Sequence, residues 1–109
     1  MATVLDTSAL VVLMRRSRPP ELEPVADAAR GELEAGRALL SAVTVAELLV
    51  GSREGPRLGP LLDLLIGATA VWLDVPLLTC DSEFRRGIEA GDASRLGAWS
   101  KLRLHAASP

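Results

Sequence analysis

The stretch Thr3-Val4-Leu5-Asp6-Thr7-Ser8-Ala9-Leu10-Val11-Val12-Leu13-Met14-Arg15-Arg16 decides the fold. Thr3-Val4-Leu5 is a β-branched, apolar run that reads as a short buried strand. Asp6-Thr7-Ser8 then supplies N-cap chemistry for a helix over residues 9–16. A strand opening directly into a capped helix is the first half of a βαβ unit.

The rest of the chain repeats that rhythm. Pro19-Pro20 ends the first helix and starts another over 21–35, with Leu22, Val25, Ala29 and Leu33 at three- to four-residue spacing and Gly36 as C-cap. Residues 38–41 read as a second strand, followed by a helix over 43–50 capped by Thr44. Gly51, Gly55, Pro56, Gly59 and Pro60 make 52–60 an irregular crossing. Residues 61–73 predict a helix that is apolar on most sides and hence well buried. Residues 76–79 form a third strand, 84–90 a short helix, and 101–104 a weak last strand. Continuous apolar strands alternating with helices predict one α/β domain over residues 1–109 with a mainly parallel sheet, its strands buried on both faces.

Composition narrows the function. Of the 109 residues, 49% are hydrophobic and 24% charged, which is globular and far from the disordered regime. Twelve Lys and Arg against fourteen Asp and Glu give a net charge of −2, so no global basic field draws in nucleic acid. The one cysteine, Cys80, excludes an internal disulfide framework and a Cys-based zinc cage, and fits a reducing compartment. The longest apolar stretch, 64–73, is about half a membrane span. With no basic run in Met-Ala-Thr-Val-Leu-Asp, no secretory signal is read, and the expected setting is cytoplasmic.

Ligands of an open α/β sheet bind outside the carboxyl ends of its strands. Asp6 follows the first strand, Glu47 lies one turn into the helix after the second, and Asp81 follows the third. Asp63 opens the apolar helix that runs back antiparallel to the third strand, so it faces the same edge. Four carboxylates are thus aimed at one crevice, where they repel and raise one another's pKa unless neutralised. No Lys or Arg neighbours Asp6, Glu47 or Asp63 in the sequence. A hard divalent cation, Mg²⁺ or Mn²⁺, held by carboxylates and waters, answers that need. Each acid also has a plain structural reading. Asp6 is a favoured cap, Glu47 a partner for an arginine, Asp63 a complement to the helix dipole, and Asp81 a turn residue. Glu83 reads as a solvated face, Cys80 as a small buried hydrophobe, and His105 as a poor ligand or base.

Four segments taken in order carry a resemblance: Asp6-Thr7-Ser8-Ala9-Leu10, Leu40-Ser41-Ala42-Val43-Thr44-Val45-Ala46-Glu47-Leu48, Asp63-x-x-Ile66-x-Ala68-x-Ala70 and Pro76-Leu77-Leu78-Thr79-x-Asp81-x-x-Phe84. Over most of its length the chain resembles the PIN-domain ribonucleases that serve as VapC-type toxins of VapBC toxin–antitoxin pairs. The resemblance implies a three-layer sandwich around a small, mainly parallel sheet. It implies a Mg²⁺- or Mn²⁺-dependent endoribonuclease with Asp6, Glu47, Asp63 and Asp81 as catalytic and metal residues and Ser8 and Thr79 as polar supports. It also implies an RNA substrate, a small antitoxin partner and a homodimer, with no membrane.

One departure stands out. Glu47 and Asp63 are only sixteen residues apart, whereas similar proteins carry a much longer segment there, with helices and an additional edge strand. The edge strand is therefore expected to be missing. That shortening supports an alternative, a catalytically impaired PIN-like binding module that retains the fold and partner surface. A receiver-type phosphoacceptor shares the layout but wants an acidic pair after the first strand, and Leu5-Asp6-Thr7 offers one acid. Arg15, Arg16, Arg18, Arg53, Arg57, Arg85 and Arg86 are the candidates for holding an RNA backbone, or simply for solubility.

Overall fold

The computed structural model describes residues 1–50, 59–90 and 101–109. Three short strands, β1 (Thr3–Leu5), β2 (Ala38–Leu39) and β3 (Leu77–Leu78), form a parallel sheet in the order β2-β1-β3. Val4 stands opposite Leu77 and Leu5 opposite Leu78. Successive strand residues point to opposite faces, and the core divides accordingly. Val4 and Leu77 pack with Ile66, Ala70, Phe84 and Leu102 on one face. Leu5 and Leu78 pack with Ala9, Leu10, Val25 and Ala29 on the other. All four strand residues are fully buried, each contributing about 1.5–3 kcal/mol.

The helices among the described residues are α1 (Thr7–Met14), α2 (Glu23–Glu34), α3 (Ala42–Val50), α4 (Gly59–Leu73) and α5 (Glu83–Ala90), with a 3-10 turn at Pro20–Leu22 before α2. α1 and α2 cover the Leu5 face, and α4 and α5 the Val4 face. This is a small α/β fold with helices on both sides of an open parallel sheet. None of the helices is long and apolar enough to cross a membrane.

Both helices that feed a new strand stop in the same way. At the end of α2, Gly36 has φ +70°, with Gly36 N–H on Leu33 O at 3.2 Å and Arg37 N–H on Glu32 O at 2.9 Å. At the end of α4, Asp74 has φ +53°, with Asp74 N–H on Val71 O and Val75 N–H on Ala70 O, both at 3.1 Å. Each pair of bonds is a Schellman motif with a left-handed residue at its turn. Glycine fills the first for steric reasons; Asp74 fills the second and pairs with Arg103 at 3.1 Å.

Several expectations need correction. The cap of α3 is Ser41, whose Oγ accepts the Thr44 N–H at 3.1 Å; a cap bonds the residue three positions on, so Thr44 is the one capped. Gly59 and Pro60 belong to α4, where proline suits a first turn that needs no N–H donor; 52–58 lie outside the described residues. α4 is less buried than its composition suggests. Ile66 and Ala70 face the sheet, but Leu65 (44%), Leu73 (45%) and Trp72 (87%) are exposed, because the core covers only one side of the helix. β2 is not buried on both faces either: it is the edge strand, and Leu39 is exposed. Leu33, in the last turn of α2, is exposed as well. The weak last strand shrinks to a single parallel bridge between Leu104 and Leu77.

Candidate active site

The chain leaves β1 toward one side to form β2 and returns on the other side to form β3, so the carboxyl ends of β1 and β3 flank the topological switch point. Asp6 sits there at the N-cap position of α1, with φ −69° and ψ 153°. Its carbonyl accepts the Ala9 N–H at 3.0 Å, yet its carboxylate makes no capping bond. Instead Oδ2 accepts the hydroxyls of Ser8 and Thr79, each at 2.7 Å. The side chain is only 3% exposed. Charge-assisted bonds of this length are the strong kind, and they leave Oδ1 without a hydrogen bond from the described residues.

Ser8 and Thr79 earn that role by being held themselves. Ser8 Oγ accepts the Cys80 N–H at 3.0 Å, and Thr79 Oγ1 accepts the Asp81 N–H at 3.0 Å. Both hydroxyl protons are therefore free for Asp6. Glu47, on the second turn of α3, has Oε1 bonded by Thr7 Oγ1 at 2.8 Å. Thr44 Oγ1, fully buried, lies 3.2 Å from that same hydroxyl and accepts Ser41 Oγ at 3.3 Å. Asp81 uses Oδ1 to accept the Glu83 N–H at 2.9 Å at the start of α5, so its turn role is present beside any other. Asp63, one turn into α4, has its carboxyl pushed up to about 6, by burial first and then by the charges of Asp6, Asp81 and Glu47.

Asp6, Glu47, Asp63 and Asp81 line one cavity of about 420 Å³, together with Thr7 and Ser8. Its other wall is Val11, Val12, Arg15, Leu22 and Cys80. Arg15 corrects the expectation that no cation stands near: the end of α1 carries it into the lining. It forms no ion pair with the four acids among the described residues. The Cys80 thiol is pushed up, chiefly by burial, which keeps it protonated and a weak nucleophile. The donor set is oxygen only, which suits a hard divalent cation. Among the described residues, however, no three acids are gathered closely enough to hold one ion together.

The remaining candidates sort by their contacts. Arg18 is not available for RNA: Nη1 donates to the carbonyls of Val12, Leu13 and Arg15 at 3.0–3.3 Å, and Nε pairs with Glu23 at 3.0 Å. Arg86 pairs with Glu83 at 2.7 Å, which also gives Glu83 its plain surface role. Arg15 and Arg16 are exposed, while Arg53 and Arg57 lie outside the described residues. His105 stands by Glu32, 3.9 Å away, and outside the cavity lining. Sequence reasoning named Arg15 only as one of seven arginines for an RNA backbone, and it read Thr7 and Thr44 as helix caps, missing their place beside Glu47. Ser41-x-x-Thr44 was a legible cap pattern, but nothing in the spacing tied Thr7 to Glu47. No family model matches the chain, and no curated protein or solved structure matches it.

Proposed function

We propose that this chain is a divalent-metal-dependent endoribonuclease, a PIN-like domain that cleaves RNA phosphodiester bonds as a toxin held by a small antitoxin. The observation that carries the reading is the placement of four carboxylates around one cavity at the switch point, with Asp63 raised by burial first and then by the charges of the other three. Such a concentration of negative charge is unfavourable without a cation. Mg²⁺ needs only one or two carboxylates and keeps several waters, so Asp6, whose Oδ1 takes no hydrogen bond from the described residues, and one neighbour among Glu47, Asp63 and Asp81 would suffice to hold it. Bound there, the ion supplies positive charge that stabilises a phosphoryl group and makes water a better nucleophile.

The chain's own contribution is orientation. Ser8 and Thr79 fix the Asp6 carboxylate, Thr7 fixes Glu47, and Asp63 keeps its proton to a higher pH than an ordinary aspartate does. Arg15 at the lip gives an RNA phosphate a cationic contact. The parallel sheet with helices on both faces supports the PIN-like reading, and the lone cysteine a reducing, cytoplasmic setting. Exposed Leu65 and Trp72, two turns apart on α4, support a surface that a second copy or an antitoxin covers.

The test is cleavage of a single-stranded RNA with Mn²⁺ by the unaltered chain and by Asp6→Asn, with thermal unfolding in parallel. The expected result is Mn²⁺-dependent cleavage and a melting point raised by Mn²⁺, both lost in Asp6→Asn. No cleavage and no Mn²⁺ effect at millimolar concentration overturns the reading. The short Glu47–Asp63 segment, with no three acids gathered for one ion among the described residues, favours a second reading as a catalytically impaired binding module. A folded chain that cleaves nothing supports that one.

A further inference from the structure

Beyond the four acids, the outer edge of β3 holds a residue whose position bears on the site. Leu77 N–H donates to Arg103 O at 2.9 Å, and His105 N–H donates to Leu77 O at 2.8 Å, the two bonds of the parallel bridge. One further rung would offer His105 O to the Thr79 N–H. The chain turns instead at Ala106 and Ala107, and His105 O takes the Ser108 N–H at 2.9 Å. The Thr79 N–H is met by the Ser108 side chain, with Oγ at 3.1 Å. That hydroxyl in turn donates to Leu77 O at 3.3 Å. Arg85 Nη2 holds the Ser108 carbonyl at 3.3 Å, and Ser108 is buried. A side-chain hydroxyl thus replaces a rung of the ladder at the point where β3 ends and the site begins.

Thr79 is the residue that this rung fixes. It is fully buried, donates to Asp6 Oδ2 at 2.7 Å and accepts the Asp81 N–H at 3.0 Å. We propose that Ser108 is a positioning residue for the candidate site: it fixes the Thr79 backbone and, through the Thr79 hydroxyl, the Asp6 carboxylate and the turn carrying Asp81. Its consequence for catalysis rests on the ribonuclease reading; its consequence for geometry does not. Without the Ser108 hydroxyl, the buried Thr79 N–H has no partner, and the strand end shifts to find one. Small displacements of positioned groups cost rate and not binding.

The test compares the unaltered chain, Ser108→Ala and Ser108→Thr by amide hydrogen exchange and by RNA cleavage with Mn²⁺. In Ser108→Ala, exchange at Thr79 and Asp81 is expected to quicken by about tenfold, while exchange at Val4, in the middle of the sheet, stays unchanged. Cleavage is expected to lose about tenfold in kcat at constant KM. Ser108→Thr, which keeps the hydroxyl, restores both. Equal acceleration at Thr79 and Val4, or Ser108→Ala cleaving and exchanging like the unaltered chain, overturns the proposal. Should Ser108→Ala not fold, the unaltered chain decides: a Thr79 amide exchanging as fast as an unprotected one overturns it, and a protected one with Ser108→Thr fully active supports it. Absence of cleavage by the unaltered chain defeats the ribonuclease reading alone, since the exchange data still judge the positioning.

Discussion

Replacing Asp63 by asparagine removes the charge that the site tolerates least. Burial and three neighbouring carboxylates raise the Asp63 carboxyl from its ordinary 3.8 to about 6. At about 1.36 kcal/mol for each pH unit, that rise corresponds to at most about 3 kcal/mol. Asp63 is only about half withdrawn from water, and solvent screening reduces the figure to about 1.5 kcal/mol. The sign follows from linkage. Because the folded carboxyl binds its proton more tightly than the unfolded one, its contribution to stability is full below pH 3.8 and is lost as pH rises through 6. In metal-free buffer, Asp63→Asn should therefore be as stable as the unaltered chain near pH 4. At pH 8 it should be more stable by about 1.5 kcal/mol, or roughly 5–10 °C in melting temperature for a domain of this size. Urea titrations at both pH values, with a chelator present, measure it. Adding Mg²⁺ at pH 8 should narrow the gap, since the ion offsets one more carboxylate charge in the aspartate chain than in the asparagine variant. A gap independent of pH, or an asparagine variant less stable at pH 8, refutes the account of mutual repulsion.

Two further outcomes concern the frame around the site. Arg18→Ala removes the donor that the carbonyls of Val12 and Leu13 in α1 and of Arg15 just after it share, and the pairing with Glu23. It should cost about 1–3 kcal/mol in urea unfolding without a change in slope; a loss under 0.5 kcal/mol would discount the clamp. Gly36→Ala should cost about 1 kcal/mol through its left-handed backbone alone, because nothing lies within 4 Å of an added Cβ. Gly36→Asn should recover about half of that in thermal melts, and equal costs for the two would point to a clash instead.

How legible the molecule was depends on the range of the interactions. Val4, Leu5, Leu77 and Leu78 announced a buried parallel sheet, since residues covered on both faces must be apolar throughout. Gly36 announced its turn because a left-handed residue is nearly a glycine monopoly, and Asp74 escaped notice because it is not one. The two-residue length of β2 and β3 could not be read: apolar residues extend past the hydrogen-bonded ladder at Leu40, and the ladder alone defines the strand. Trp72 looked buried because composition reports how apolar a helix is, not how many sides have neighbours. In the site, Asp6 and Asp81 were visible from strand ends and Glu47 and Asp63 from the first turns of the helices around them, and the structure brings all four to one cavity. The hydroxyls that orient them were only half visible. Ser8 and Thr79 entered through the resemblance alone, whereas Thr7 reaches an acid forty positions away and Ser108 an amide twenty-nine positions away. Such pairings have no local period.

The bond from Thr79 to Asp6 joins residues 73 positions apart. Closing so long a loop is entropically costly and slow, so this contact forms late and only alongside the rest of the sheet. During synthesis on a ribosome, the chain through α1, α2 and α3 carries Asp6, Ser8 and Glu47, but the second hydroxyl that holds Asp6 is missing until Thr79 has emerged from the exit tunnel. The cavity that the four acids line is therefore assembled in one step with completed folding, and any lesion that loosens the sheet dismantles it in the same single step.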